Sequence, residues 1–350
     1  MLSRAKVSIH VGFGFGALVA TLVYATRYRR HGGRLVRIQL WLGALLRPVM
    51  STAHRSTPAT QAPYNLLLTL TGAGDGLRGG VPAEAMSISC GLAHDRKVHM
   101  TDSRIEDCWN TKMATGSKLF DQSKFRLRRI SWAGAGASVT IELGLTSYKE
   151  YIGTHRLPPD ELAVLEGDGT VLGDLRAHLS CALGCEAVLL TCDGFMVLLR
   201  RSGRVATHSG MYNGPSGHAE PAHAGIQSHL GHGEVGSVTE AEREQAVKNE
   251  LFGSILAEVH DETNVPRQSL SSPLLIGAME DASRKPDLLF LVHTSLDCDG
   301  VKIAMSKGAA EGWESDRLVF WPLNELDGID LPLTPVTAAA IHCLKLRQPQ

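Results

Sequence analysis

Apolar and polar positions along the chain fall into two rhythms. Short apolar runs bounded by turn residues predict strands in "YNLLLTLTG" from Tyr64 and in "SKFRLRRISWAG" from Ser123. "LGLTSYKEYIG" leads into a helix or turn, and "LGDLRAHLSCALG" (172–184) reads as a short helix. From Glu186, "EAVLLTCDGFMVLLRRSGRV" places two apolar runs on either side of Asp193–Gly194, a hairpin signal, with a second turn at Ser202–Gly203. Residues 214–236 are rich in Gly, His, Ser and Ala and predict a loop. The one long helix is "TEAEREQAVKNELFGSILAEVHDETNV". Val247, Leu251, Ile255 and Val259 recur every fourth residue, Phe252 and Leu256 widen the stripe, and Thr239 with Glu242 forms a capping-box pattern. "PLLIGAME", "DLLFLVHTSL" and "RLVFW" follow as strands, and "PVTAAAIHCLKL" as a closing helix. Strands flanking one central helix predict an α+β fold.

The formal net charge of −1 hides an asymmetry. Nine basic residues precede the first acidic one, Asp75, so the remainder carries 26 basic against 36 acidic residues. A body that acidic excludes sequence-independent nucleic-acid binding, which needs basic surface. Seven scattered cysteines, with no CxxC pair, predict reduced thiols rather than a disulfide framework.

Residues 1–49 form an apolar and basic extension. Residues 7–25 contain no Asp, Glu, Lys or Arg, enough to span a bilayer, and "TRYRRHGGR" follows. That order would hold the downstream chain on the cytosolic side. Three readings stand: a membrane anchor, an organelle transit peptide, or a gene-model extension ahead of a start at Met50. Residues 50–63, "MSTAHRSTPATQAP", read as linker.

The end of the long helix carries the chemistry. Glu258, Asp261 and Glu262 fall within five positions, at spacings that share one helix face, where like charges repel. A solvated helix end is the bland account. The sharper one is a hard divalent cation, for which oxygen ligands are the fitting donors. Glu258 and Glu262 are one turn apart and can converge on one ion, with Asp261 close enough to join them. Upstream, "GPSGHAEP" (214–221) is a Gly-rich turn able to present backbone N–H groups to phosphate. His218, His223, His229 and His232 lie at spacings too loose for a zinc site.

These residues resemble the loop-helix box of the Nudix hydrolases, G-x5-E-x7-R-E-U-x-E-E-x-G-U. "AEVHDETNV" is similar to its second half, with Ala257 for the Arg, Asp261 and Glu262 for the paired acids, and Asn264 for the final Gly. Gly217 and Glu250 are separated by 32 residues, an enlarged loop within the box. "LFDQSKFRL", "LGLTSYKEYIGT", "LLRRSGRVA", "GHAEP" and "ELFGSILAEVHDETNVP" resemble, in this order, the animal Nudix subfamily that hydrolyses UDP-glucose and UDP-galactose. The resemblance implies a Nudix α/β/α sandwich with a mixed sheet over 186–345, preceded by a smaller α+β substrate-recognition region over 64–185. It implies a Mg2+-dependent diphosphatase yielding UMP and a sugar 1-phosphate. Glu258 and Glu262 would hold the metal, and Asp261 or Glu220 would orient or deprotonate the water. Phe120 and Tyr148 match aromatic positions that hold the nucleotide, and Arg201 a substrate arginine, with Arg200 and Arg204 as competitors for that role. Ala206, His218 and Glu220 match substrate-contact positions, Asn213 replaces an acid at another, and Thr337 is placed loosely. The partner implied is a UDP-sugar, with membrane contact only through the N-terminal extension.

Overall fold

The computed structural model describes residues 24–31, 34–41, 63–70, 79–114, 120–134, 138–205, 207–226 and 239–347. The chain divides into two units, Met1–Thr60 and Gln61–Gln350. In the first, β1 (Tyr24–His31) pairs antiparallel with β2 (Arg34–Trp41). The apolar stretch 7–25 lies outside the described residues except for its last two, which open β1. Among the described residues no helix is long and apolar enough to cross a membrane.

The second unit runs β3 (Tyr64–Thr69), β4 (Met86–Cys90), α1 (Ser103–Ala114), β5 (Ser123–Trp132), β6 (Val139–Ser147), α2 (Tyr148–His155) and α3 (Pro159–Val171). It continues with β7 (Gly184–Leu190), β8 (Phe195–Arg201), β9 (Tyr212–Asn213), β10 (Ser216–Gly217) and α4 (Glu240–Thr263). It closes with β11 (Leu274–Asp281), β12 (Pro286–His293), α5 (Cys298–Ser306), β13 (Ser315–Pro322) and α6 (Pro335–Lys345). The large sheet has the order β13-β8-β7-β12-β11-β3, with β9 added to β8 and β10 to β7. It is mixed: β7 and β12 are parallel and its other pairs antiparallel. A second sheet has the order β4-β6-β5, and its Ile88, Phe125 and Ile141 share a core with the large sheet. Strand β3 joins β11, so one strand of the large sheet comes from the N-terminal side of residue 185.

Both faces of the large sheet are covered, which is why β7 and β12 read as unbroken apolar runs. Ala187, Leu189, Leu288, Phe290 and Val292 pack into one core with Val247, Leu251, Ile255 and Val259 of α4. The alternate residues Val188, Leu190, Leu289 and Leu291 pack into a second core with Ala340, Ile341 and Leu344 of α6. The result is an α/β/α sandwich within an α+β fold.

Helix α4 begins as its pattern predicts: Thr239 and Glu242 cap each other reciprocally. It ends at Asn264, whose φ of 56° is left-handed and whose N–H bonds to His260 O at 2.6 Å. Asn enters that region at low cost, so it serves where the box pattern has Gly. The helix expected over 172–184 is corrected: that stretch is turns, opened by Gly173 at φ +77°. Helical structure lies just before it, in α3.

Candidate active site

The two loop residues Ser216 and Gly217 clamp the end of α4. Ser216 N–H donates to Glu262 Oε1 at 2.8 Å. The His218 N–H donates to Glu258, and a Cβ on Gly217 would overlap the Glu258 carboxylate. The glycine is therefore required by close approach, not by turn geometry. Glu262 is buried and Glu258 half-buried. Burial first, and then the charges of Glu311, Asp261 and Glu314, pushes the Glu258 carboxyl up to about 8. Burial drives Glu262 well above the usual carboxylate range too, against the Ser216 N–H, which favours the ion.

The carboxylates Glu311 and Glu314 have no counterpart in the sequence reading. They lie on the segment before β13, which is tied down by its backbone. Glu311 N–H donates to Asp261 O at 2.8 Å, Ser202 N–H to Glu314 O at 2.7 Å, and Ser202 Oγ to Trp313 O at 2.9 Å. Glu258, Glu311 and Glu314 line one cleft of about 910 Å³. Its other wall is built from α2 and from the loop after β8.

Helix α2 is aimed by a capping box between Ser147 and Glu150, and the Tyr148 N–H donates to Gln122 O at 3.0 Å. Tyr148 lines the cleft between the rings of Trp109, edge-on at 6.3 Å, and Tyr151 at 5.8 Å. Tyr151 lines it as well, with the Arg156 guanidinium 5.7 Å from its ring centre. Arg201 and Arg204 also face the cleft, Arg201 donating Nε to Thr207 O at 3.1 Å. Arg200 turns away and pairs with Asp316 at 2.6 Å, which settles which neighbours of β8's end are available to a ligand.

The remaining predicted residues divide. Asn213, His218 and Glu220 line the cleft. Asn213 donates Nδ2 to Ser216 Oγ at 3.0 Å, while its Oδ1 is buried without a partner. Burial, then the charges of Lys285 and Lys124, holds His218 neutral, well below the usual histidine range. Glu220 is engaged by Lys124, and its N–H donates to Glu250 Oε1 at 2.8 Å. Asp261 sits half-buried at the end of α4, outside the cleft wall. Thr337 is fully buried behind the wall formed by Thr334, Pro335 and Val336. Phe120 is not brought to the cleft: it is 77% exposed, although the neighbouring Gln122 lines it. Ala206 lies outside the described residues. Of the loop histidines, His223 is exposed beside Glu250, and His229 and His232 lie outside the described residues.

The donor set suits a divalent cation. Glu258, Glu311 and Glu314 line one cleft, Glu262 is buried one helical turn from Glu258, and these donors are all oxygen; their mutual repulsion and burial favour a compensating positive charge. Among the described residues no three His, Cys, Asp or Glu side chains are already gathered as a metal cluster. Glu262 is instead held by a backbone N–H.

Comparison with known proteins adds an independent line. No family model matches the chain. Over 249 residues, 69% of its length, the chain is 35% identical to the human protein named uridine diphosphate glucose pyrophosphatase NUDT22, covering 79% of it. It is 32% identical over 259 residues to Nudix hydrolase 9 of Arabidopsis thaliana, covering 71% of this chain and 81% of that one. A solved MutT protein of Methanosarcina mazei Go1 aligns with 47% of this chain and 91% of its own at 16% identity, with a TM-score of 0.29, too low to bear on the site.

Proposed function

The chain belongs to the Nudix hydrolase family, enzymes that hydrolyse phosphorus-containing anhydrides, and from that premise we propose that it cleaves the diphosphate of UDP-glucose or UDP-galactose to UMP and a sugar 1-phosphate, with Mg2+ as cofactor. The observation that carries this reading is the cleft itself. One cavity joins Glu258, at the clamped end of α4, to tyrosines and arginines contributed from well outside the helix, while Glu262 is buried one turn further on. An enclosed diphosphate needs cationic neighbours, and an appended nucleoside or sugar needs a second surface to rest on.

Glu258 and Glu262 would hold the cation, and Ser216 and Gly217 fix the two carboxylates one helical turn apart, Glu258 in the cleft wall and Glu262 buried. When bound, Mg2+ supplies charge neutralisation at the phosphate oxygens and a lowered pKa for the attacking water. Arg201 and Arg204 bind the diphosphate, for which a planar guanidinium is the matching donor. Tyr148 and Tyr151 hold the uridine by their faces, where a stacked base is worth about 1–3 kcal/mol. The His218 ring is held neutral, and it is the backbone N–H of His218 that donates to Glu258.

The proton of the attacking water needs an acceptor. Glu220 is committed to Lys124, and Asp261 does not face the cleft, so neither choice from sequence is well placed. Glu311 and Glu314 do face it, and burial raises the proton affinity of Glu314. In this reading they take the proton.

A panel of UDP-glucose, UDP-galactose, ADP-ribose and nucleoside triphosphates, incubated with purified protein and Mg2+ and read by product identity, tests the proposal. UMP from the UDP-sugars is the expected product. Preferential turnover of ADP-ribose or a triphosphate overturns the substrate assignment.

A further inference from the structure

The turn between β11 and β12 carries an ion pair into the cleft wall that the proposed reaction does not use. Lys285 Nζ donates to Asp287 Oδ1 at 2.5 Å, and both side chains line the cleft at 18% and 12% exposure. Three elements are shaped around this pair. Asp281 Oδ1 folds the turn by accepting from Ser283 N–H at 2.8 Å, Ser283 Oγ at 2.7 Å and Lys285 N–H at 3.1 Å. His155 of α2 donates Nδ1 to Ser283 O at 2.6 Å and locks the turn to the wall that carries the tyrosines. Opposite, Gly184 opens β7, and a Cβ there would overlap both Asp287 Oδ1 and Lys285 Nζ.

The pair leaves bonding capacity unspent. Its mutual contact uses one ammonium hydrogen and one carboxylate oxygen. The ammonium carries two more hydrogens, and Asp287 Oδ2 makes no hydrogen bond among the described residues. A fixed donor beside a fixed acceptor matches two neighbouring hydroxyl groups, one accepting from the ammonium and the other donating to the carboxylate. The pair is neutral as a whole, so it does not attract a diphosphate, and the Asp287 charge repels one. Tyr148 and Tyr151 line the same cleft.

We propose that Lys285 and Asp287 form the subsite that reads a vicinal diol of the substrate and thereby sets its specificity. This rests on the UDP-sugar reading. Such a molecule has three vicinal diols, one on the ribose and two on the hexose that share its 3-hydroxyl, and deoxy analogues separate ribose from hexose.

The test is calorimetric binding to the full chain in EDTA, so that no turnover intervenes. The ligands are UDP-glucose, 2′-deoxy-UDP-glucose, which lacks the ribose diol, and UDP-3-deoxyglucose, which lacks both hexose diols. Wild-type protein should bind the analogue missing the diol it reads roughly tenfold or more weakly than UDP-glucose, the loss expected for a hydrogen bond to a charged group. Which analogue shows the loss identifies the ribose or the hexose. The double variant Lys285→Met/Asp287→Leu replaces the pair by apolar residues of similar size, a change that buried ion pairs often tolerate. It should bind UDP-glucose as weakly as wild type binds that analogue, and should no longer distinguish the two. Equal wild-type affinity for all three ligands overturns the subsite without any variant, and a double variant that keeps the discrimination overturns it too. Wild-type protein that binds none of them, either in EDTA or with Ca2+ in place of Mg2+, overturns the UDP-sugar reading, and the subsite with it.

Discussion

Gly217 lies against Glu258 so closely that the glutamate carboxylate occupies the space where any other residue at 217 would put its Cβ. The loop and the helix end are therefore one unit, although 40 residues intervene between these two positions. Gly217→Ala should push the Glu258 carboxylate aside while leaving both cores untouched. A misplacement of about 1 Å at reacting groups can cost about a hundredfold, so kcat should fall by at least about tenfold with little change in Tm. Steady-state kinetics beside a melting curve checks this, and unchanged kcat would show that the loop yields instead.

Glu186 gives a prediction about stability. It is fully buried on β7, and neither carboxylate oxygen has a well-formed hydrogen bond. Burial pushes its carboxyl up to about 8 from an ordinary 4.5. The folded protein holds a proton there that the unfolded chain releases. Its contribution to stability is complete below 4.5 and is lost as pH rises through about 8. Glu186→Gln removes that loss. Its stability relative to wild type should grow with pH by up to about 1.4 kcal/mol per unit across this window. Urea denaturation of both proteins at the two ends of the window measures it. A difference independent of pH would place the proton elsewhere.

The aromatic positions separate in a way the sequence did not anticipate. Tyr148 stands in the cleft, braced by Trp109 and Tyr151, whereas Phe120 is exposed outside it. Tyr148→Ala should raise KM for UDP-glucose by roughly five- to 150-fold and spare kcat, since the lost contact serves ground and transition states alike. Phe120→Ala should leave KM within about threefold. Michaelis kinetics on both variants decides, and a large KM effect at Phe120 would mean that this side chain swings onto the ligand.

What the sequence made legible follows its periodicities. Helix α4 was readable from its capping box and i,i+4 stripe, and the β7–β8 turn from Asp193–Gly194, where Gly194 takes φ +86°. The spacing of Glu258 and Glu262 puts them on one face of α4, but a solvated helix end has the same spacing, and it is the resemblance to the Nudix box that singles them out. Helix α3 was missed because Gly167 and Gly169 interrupt it and its apolar residues form no stripe. Pro159 at its first turn, followed by Asp160 and Glu161, was the start signal available. The next stretch, 172–184, looked more amphipathic and is turns. Tyr151, Lys285, Glu311 and Glu314 carried no local signal. They come from three distant segments, and only the packing of α2 against the β11–β12 turn and of the pre-β13 segment against α4 brings them to one cleft.

In the proposed reaction the α4 carboxylates drive the cleavage of the diphosphate, and specificity lies elsewhere in the cleft. The most direct measurement is the hydrolysis of UDP-glucose by wild type and Glu258→Gln at saturating Mg2+, with products identified. The account predicts UMP and glucose 1-phosphate from wild type. For the variant it predicts a kcat lower by at least about a hundredfold with KM changed far less, as for a group whose interaction counts mainly in the transition state. Turnover by Glu258→Gln within about tenfold of wild type would contradict the account.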